Sequence, residues 1–332
     1  MDPKDQALLA LGRELQAQNY CFTTITPASH HRVNQRLASN AGTLQRVFGW
    51  NRPFRPIELP PEMVRLLETA GELEATDGQL RSKVRFSSLG HQLIVHSAFP
   101  TEACDAVFFG PDTYRFVRWL RQATADIAPT ASFTIIDIGC GSGAGGLHIG
   151  ELLRRRGHVD LMLSDINPRA LRLSAINAAL NGVPNVRTVL SDVFDRINES
   201  GNLIISNPPY LVDRSGRVYR HGGGELGSEL SIRIVAQGIE RLYPGGRLLL
   251  YTGTPVVDGV DRFFEAVRPY LESQACDYSY EEIDPDVFGE ELESAPYDRV
   301  DRIAVVALAV QARQESCNGI PGMDRLRVPA RW

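Results

Sequence analysis

The chain of 332 residues is short of several features that would assign it at a glance. It has no run of 18 apolar residues, so no membrane-spanning helix is expected. Its first residues, Met1-Asp-Pro-Lys-Asp-Gln, have no basic stretch followed by an apolar one, so no secretory leader is expected. Five cysteines, at 21, 104, 140, 276 and 317, are odd in number, scattered and free of any Cys-x-x-Cys pair. That usage fits a reducing cytoplasm and gives neither a disulfide framework nor a metal site. There is no basic excess: 35 Lys and Arg face 40 Asp and Glu, a net charge of −5. A long electrostatic grip on RNA or DNA needs the opposite balance, so composition counts against a nucleic-acid partner. What remains is a chain 43% hydrophobic, long enough for two domains with a sizeable core.

The most informative stretch is Phe133-Thr-Ile-Ile-Asp137-Ile-Gly139-Cys-Gly141-Ser-Gly143. A β-branched apolar run ends in a carboxylate and is followed by glycine at every second position. This reads as a buried parallel strand, a tight turn and a helix from Ala144. Glycines admit positive φ and let a ligand lie against the backbone, and the helix start adds free N–H groups. Asp137 is placed to accept hydrogen bonds from a cationic or hydroxyl-bearing ligand. A second apolar run, Asn202-Leu-Ile-Ile-Ser206, ends in Asn207-Pro208-Pro209-Tyr210.

Together these motifs resemble the class I S-adenosylmethionine (SAM) methyltransferases of the Asn-Pro-Pro-Tyr branch. That branch includes release-factor glutamine, adenine-N6 and small-domain ribosomal RNA methyltransferases. The resemblance covers roughly residues 105–310. It implies an α/β fold: a seven-stranded Rossmann-like methyltransferase sheet with an antiparallel last strand. Strand and helix patterns alternate accordingly. Strands are expected at 133–139, 159–165, 186–191, 202–206, 246–252, 276–283 and 302–310. Helices are expected at 144–156, 168–181, 228–242 and 258–272.

The N-terminal 104 residues read as a smaller α+β domain. Ala7, Leu8, Leu11 and Leu15 mark a helix over 4–19. Ser29 is expected to cap a helix over 30–40, with Val33 and Leu37 inward. Pro61 opens a helix that Gly71 ends, with Met63, Leu66 and Leu67 buried. Asp77-Gly78 then turns a hairpin within 72–86. Helices followed by a hairpin look like a winged helix, either a docking module or a cap that shapes access to the site. Its basic residues, Arg81, Lys83 and Arg85, are few and favour the cap. The segment Phe108 to Tyr114 reads either as a flap closing over SAM, as in the family, or as a linker with Asp112 capping the next helix. Residues 105–312 form the SAM-binding domain, and 313–332 an irregular tail.

Candidate site residues follow. Asp165, 22 residues beyond Gly143, is spaced to take both ribose hydroxyls of a nucleoside, with Ile166 beside it. It or Asn167 also suits a cap for the helix at Pro168. The resemblance implies that Asp192 meets the adenine amine and the Val193 N–H the adenine ring. Gly139, Gly141, Gly143 and Asp137 would face the cofactor's amino-acid part. The Asn207 side-chain oxygen and the Pro208 carbonyl can accept both N–H bonds of a planar nitrogen, and Tyr210 can stack on its plane. The glycine-rich loop 211–227, with His221 and Glu225, reads as a mobile lid.

The expected activity is N-methyl transfer to a protein glutamine or a small amide or amine, releasing S-adenosylhomocysteine. One alternative is methylation of a nucleobase amine. Another is cyclisation of SAM itself to azetidine-2-carboxylate and methylthioadenosine, with Tyr20 and Phe22 as a lid that dries the pocket and Asn207, then a cofactor contact, orienting the amine; Tyr114 is a further substrate or lid candidate.

Overall fold

The structure is a computed structural model that describes residues 1–36, 41–129, 132–213, 217, 219–293 and 295–314. Three helices come first, α1 (Pro3–Ala17), α2 (Pro27–Asn34) and α3 (Pro61–Ala70). The Asp2 carboxylate caps α1 by accepting the Asp5 N–H, and the expected residues Ala7, Leu8, Leu11 and Leu15 are buried. α2 begins two residues before Ser29, because Pro27 fits the first helical position and the Thr26 hydroxyl accepts the Ser29 N–H at 3.3 Å. It ends at Asn34, short of the expected 40; Leu37 lies outside the described residues. α3 ends as read, at Gly71 with φ 72°.

Two hairpins follow instead of one. β1 (Leu73–Thr76) pairs with β2 (Gln79–Ser82) about Asp77-Gly78, both at positive φ. β3 (Val84–Leu89) pairs with β4 (Gln92–Ser97) about Gly90, at φ 63°. The expected single strand through Phe86 is broken after Ser82, whose hydroxyl accepts the Val84 N–H at 3.2 Å and donates to the Val84 carbonyl at 2.7 Å. Those bonds turn the chain out of the first hairpin.

α4 (Pro111–Ala123) then leads into alternating elements: β5 (Phe133–Ile138), α5 (Ala144–Arg154), β6 (Val159–Asp165), α6 (Pro168–Leu180), β7 (Val186–Leu190) and β8 (Gly201–Ser206). After these come α7 (Glu229–Ile239), β9 (Leu242–Val257), the two-residue β10 (Val260–Asp261), α8 (Arg262–Ser273), β11 (Cys276–Asp284) and β12 (Arg302–Ala312). Seven strands lie in the order β11-β12-β9-β8-β5-β6-β7, and β10 folds back on β9. β5 to β9 are mutually parallel, and β12 runs antiparallel to both its neighbours. This is the Rossmann-like methyltransferase sheet that the sequence implies. β6 and β8 flank β5 on opposite sides, so the chain leaves β5 in both directions. Such a switch point opens a crevice at the carboxyl ends of the strands.

The N-terminal segment packs onto this sheet layer through α6. Its core joins Leu8, Leu11, Phe48 and Phe86 to Leu173 and Ile176 of that helix. Two asparagines one turn apart on α6 do the work of a neighbouring strand. Asn177 accepts the Val95 N–H at 2.8 Å and donates to the Val95 carbonyl at 3.0 Å. Asn181 treats Leu93 the same way, at 2.9 and 2.9 Å. The open edge of β4 is thereby satisfied. Asn177 also donates to the Ser142 carbonyl at 2.9 Å, tying the glycine turn to the N-terminal segment.

Candidate active site

A cleft of about 680 Å³ opens at that switch point. Its floor is the glycine turn. Gly139 and Gly141 sit at φ 68° and 54°, and a methyl group built on either would meet no atom within 4 Å. Both therefore present bare backbone to open space. Gly143, at φ 76°, serves packing instead: a Cβ there would stand 2.9 Å from the Ser174 Cβ of α6.

Two carboxylates border the turn. Asp137, at the end of β5, is buried and accepts the Gly146 N–H at 2.8 Å. Burial pushes its pKa up to about 7; that single hydrogen bond opposes the rise and the nearby Asp165 adds to it. Asp165, at the end of β6, accepts the Gly141 N–H at 2.8 Å and the Asn167 N–H at 2.9 Å. Burial raises its pKa too, against the pull of those N–H groups. Asn167, not Asp165, caps α6, by accepting the Arg169 N–H at 2.9 Å. Ile166 lies between them, 53% exposed along the cleft. Asp192 and Val193 follow β7 and also line the cleft. Asp192 is ion-paired with Arg233 of α7, a partner that its place at a strand end did not reveal. Val193 is buried at φ 47°, a strained conformation for a β-branched residue.

Asn207, Pro208 and Pro209, which follow the neighbouring strand β8, also line the cleft. Among the described residues, none holds the Asn207 side-chain amide by a hydrogen bond. Tyr210 is placed otherwise than expected. Its ring turns away from the cleft and lies on Gly253 of β9, where a Cβ would stand 2.1 Å from a ring carbon. The Phe288 ring meets it edge-on at 5.9 Å, and its hydroxyl donates to the buried Asp112. It is an anchor for the turn, not a stacking platform. The N-cap of α4 is Gly110; Asp112 accordingly is not the cap. It receives Tyr210 and, at 3.2 Å, Arg115, which also pairs with Asp284 at 3.1 Å.

The loop after the motif is also different from the reading. Its described part buttresses the turn. The Gly222 N–H donates to the Leu211 carbonyl at 2.8 Å, and a Cβ at Gly222 would stand 2.6 Å from the Pro209 carbonyl oxygen. At Gly227, φ 88°, it would stand 2.4 Å from that of Tyr210. Only glycine permits this approach. His221 lines the cleft and accepts the Asp213 N–H at 3.2 Å, while Glu225 is exposed and away from the lining.

The three aromatic lid candidates do not line the cleft. Tyr20 is buried with its hydroxyl on the Phe86 carbonyl at 3.0 Å. Phe22 is buried against Gly49 and meets Trp50 edge-on. The Tyr114 hydroxyl accepts the Thr24 N–H at 3.2 Å. All three serve the N-terminal core or its junction with α4, because an apolar segment of this length has its own interior to fill. The aromatic residues at the cleft are Phe108 and Tyr219, parallel-stacked with centroids 5.7 Å apart, and Phe116. Tyr219 is held by a hydrogen bond from its hydroxyl to the Thr101 carbonyl at 2.8 Å, 118 residues away in sequence. Nothing local in the sequence signals that pairing.

The family model "Methyltransferase small domain" matches residues 124–268. A release factor glutamine methyltransferase of Lactococcus lactis subsp. lactis is 32% identical over 145 residues, 40% of this chain and 52% of that protein. One from Deinococcus radiodurans is 34% identical over 126 residues, 35% and 44% of the two chains. A ribosomal RNA small subunit methyltransferase C of Actinobacillus pleuropneumoniae is 31% identical over 132 residues, 39% and 36%. The chain thus spans about half or less of the length of these curated relatives. Glycine turn, strand-end carboxylates and the Asn-Pro-Pro-Tyr turn all lie within residues 124–268, the segment that matches the methyltransferase small domain and is similar to class I SAM-dependent methyltransferases.

Proposed function

We propose that the protein transfers a methyl group from SAM to a planar nitrogen, that of a protein glutamine or of a small amide or amine. The cleft fits SAM on three counts. Asp137 is a buried carboxyl poised for a cationic partner, the bare backbone of Gly139 and Gly141 leaves room for a ligand, and exposed Ile166 offers an apolar face. The residues that would hold it are Asp137 and the glycine turn for the amino-acid part, Asp165 for the ribose, and Ile166, Asp192 and the Val193 N–H for the adenine. Asp192 would do so while sharing its charge with Arg233. Bound there, SAM supplies a methyl group already activated by the sulfonium.

The observation that carries the reading is the side-chain amide of Asn207 in the cleft lining, which no hydrogen bond among the described residues holds. A planar nitrogen is a poor nucleophile because its lone pair is delocalised. Accepting its two N–H bonds at the Asn207 oxygen and the Pro208 carbonyl fixes its plane and directs the lone pair across the cleft. Pro208 and Pro209 have no N–H groups to compete for those acceptors. Tyr210, clamped by Asp112, keeps the turn in place. The proton lost from nitrogen leaves through the open end of the cleft.

One relative is named for a release factor and another for ribosomal RNA, so a net charge of −5 does not support setting nucleic acid aside. Cyclisation of SAM was tied to aromatic residues closing over the pocket, and Tyr20 and Phe22 lie in the N-terminal core instead. One assay separates the readings. Pure protein is incubated with SAM alone, with a glutamine-bearing peptide, with free glutamine, or with ribosomal RNA. S-adenosylhomocysteine formed only with peptide or free glutamine supports the proposal. Its formation only with RNA, or methylthioadenosine from SAM alone, replaces it.

A further inference from the structure

The interior of the N-terminal segment holds a cationic cluster that the cleft does not use. Arg85 of β3 is 3% exposed and stands opposite His96 of β4. Its guanidinium makes one long hydrogen bond, Nε to the Ser97 carbonyl at 3.4 Å, and lies 5.9 Å from the centre of the Phe99 ring. Among the described residues, Nη1 is buried without a partner. Among the described residues, the acidic groups near it are two phenols, Tyr20 and Tyr114.

His30 of α2 is 1% exposed, with its ring 4.2 Å from the same Phe99 ring. Its Nε2 bonds the Trp50 carbonyl at 3.0 Å, and its Nδ1 is buried with no partner among the described residues. Burial and the nearby Arg85, Arg52 and Arg81 hold its pKa down at about 4. Among the described residues, Arg52 and Arg81 are likewise bonded only to neutral groups. Arg52 meets the Asn34 amide and the Val33 carbonyl, and Arg81 the Asn51 and Phe99 carbonyls.

Three guanidiniums with no carboxylate partner among the described residues stand out in a chain with an acidic excess, in which the half-buried Arg172 pairs with Asp5 and Glu72. An uncompensated buried charge costs several kcal/mol. Guanidinium also stays protonated, so it cannot escape that cost by titrating. Its planar fork matches an oxyanion with two oxygens.

We propose that Arg85, with Arg52 and Arg81 nearby, binds a small oxyanion, a carboxylate or a phosphate. The site lies outside the methyl-transfer cleft and does not depend on the function assigned to that cleft.

The test is calorimetric titration of the full chain with inorganic phosphate and, separately, with succinate, at constant ionic strength in chloride. Saturable binding of one or both at one per chain is expected, with phosphate alone or succinate alone identifying the source. Arg85→Met should weaken that binding tenfold or more and leave SAM affinity within twofold. In chloride its melting temperature should equal or exceed the wild type's, because an unpaired buried charge has been replaced by an apolar side chain. Should Arg85→Met not fold, Arg85→Lys, which keeps the charge but loses the fork, should still weaken binding severalfold. Binding of neither anion to the wild type overturns the proposal, as does binding that both variants leave unchanged.

Discussion

The two walls of the cleft are built from different materials. On the glycine side the contacts offered are mainly backbone: bare Gly139 and Gly141, and the N–H groups that Asp165 orders at Gly141 and Asn167. On the Asn-Pro-Pro-Tyr side they are positioned by side chains from distant parts of the chain. Asp112 grips Tyr210 across 98 residues, and Tyr219 reaches Thr101 across 118. The first wall needs only that a strand end, turn and helix start as they must. The second needs several separate segments to arrive together.

The largest expected effect falls on the glycine side. The pKa of Asp137 is raised from the ordinary carboxyl range to about 7. Between these values the folded chain holds a proton that the unfolded chain has released. Stability contributed by this group is therefore full below pH 4 and is lost as pH rises towards 7, by about 4 kcal/mol at 1.36 kcal/mol per unit. Asp137→Asn should remove that slope from urea unfolding measured between pH 4.5 and 7.5. In the wild type, SAM affinity should rise over the same interval as the carboxylate forms. Identical slopes in variant and wild type would show that Asp137 is not the buried acid of this wall.

On the other wall, Asn207→Ala should lower turnover by about a hundredfold, the scale of lost orientation, with SAM affinity nearly unchanged. Turnover is followed as S-adenosylhomocysteine released, and affinity by calorimetry. A loss of SAM affinity equal to the loss of rate would move Asn207 to the cofactor and revive SAM as its own nucleophile. Full turnover would remove the motif from the chemistry altogether.

This contrast is also why the chain was readable in part. Strands β5 to β9, β11 and β12 follow from apolar runs bounded by glycine, asparagine and proline, and their order follows from the resemblance those motifs carry. Asp137, Asp165 and Asn207 were legible because each sits at a strand end, where parallel topology leaves one crevice to face. Tyr210 was misread because its partners, Asp112 and Gly253, are far away in sequence and no period links them. The same holds for Phe108 on Tyr219, and for the β3–β4 hairpin, whose edge is completed by helix side chains.

Tyr210→Phe examines that misreading directly. A stacking platform would tolerate the loss of a hydroxyl. An anchor would not, since the Asp112 oxygen that Tyr210 meets would be left buried without a donor, Arg115 serving the other, at about 1–3 kcal/mol. Chemical denaturation should show that loss, with a severalfold lower turnover and unchanged SAM affinity. Asp112→Asn should cost a similar amount, and the double variant Asp112→Asn with Tyr210→Phe little more than either, because the two groups act as one contact. Additive losses would mean that the bond between them does not set the turn.

The smallest effect concerns backbone at Val193, where both φ and packing are at stake. Its side chain is buried in the layer of Ile136, Met162 and Phe194, yet φ is 47°. A left-handed conformation costs an L-residue about 1–2 kcal/mol and glycine almost nothing. Val193→Ala removes apolar contact and keeps the strain. Val193→Gly removes about one further methyl, worth about 0.8 kcal/mol, and the added freedom of the unfolded chain costs about 0.5–1 kcal/mol more. Relief of strain offsets these terms, so the two variants should unfold within about 1 kcal/mol of each other. At an ordinary buried position glycine is clearly worse than alanine. SAM affinity should differ by less than threefold between them, since the N–H that we propose meets the adenine belongs to the backbone and survives both changes. A glycine variant much less stable than the alanine one would mean that the φ at 193 carries no strain, and that this wall is held by packing as much as the other.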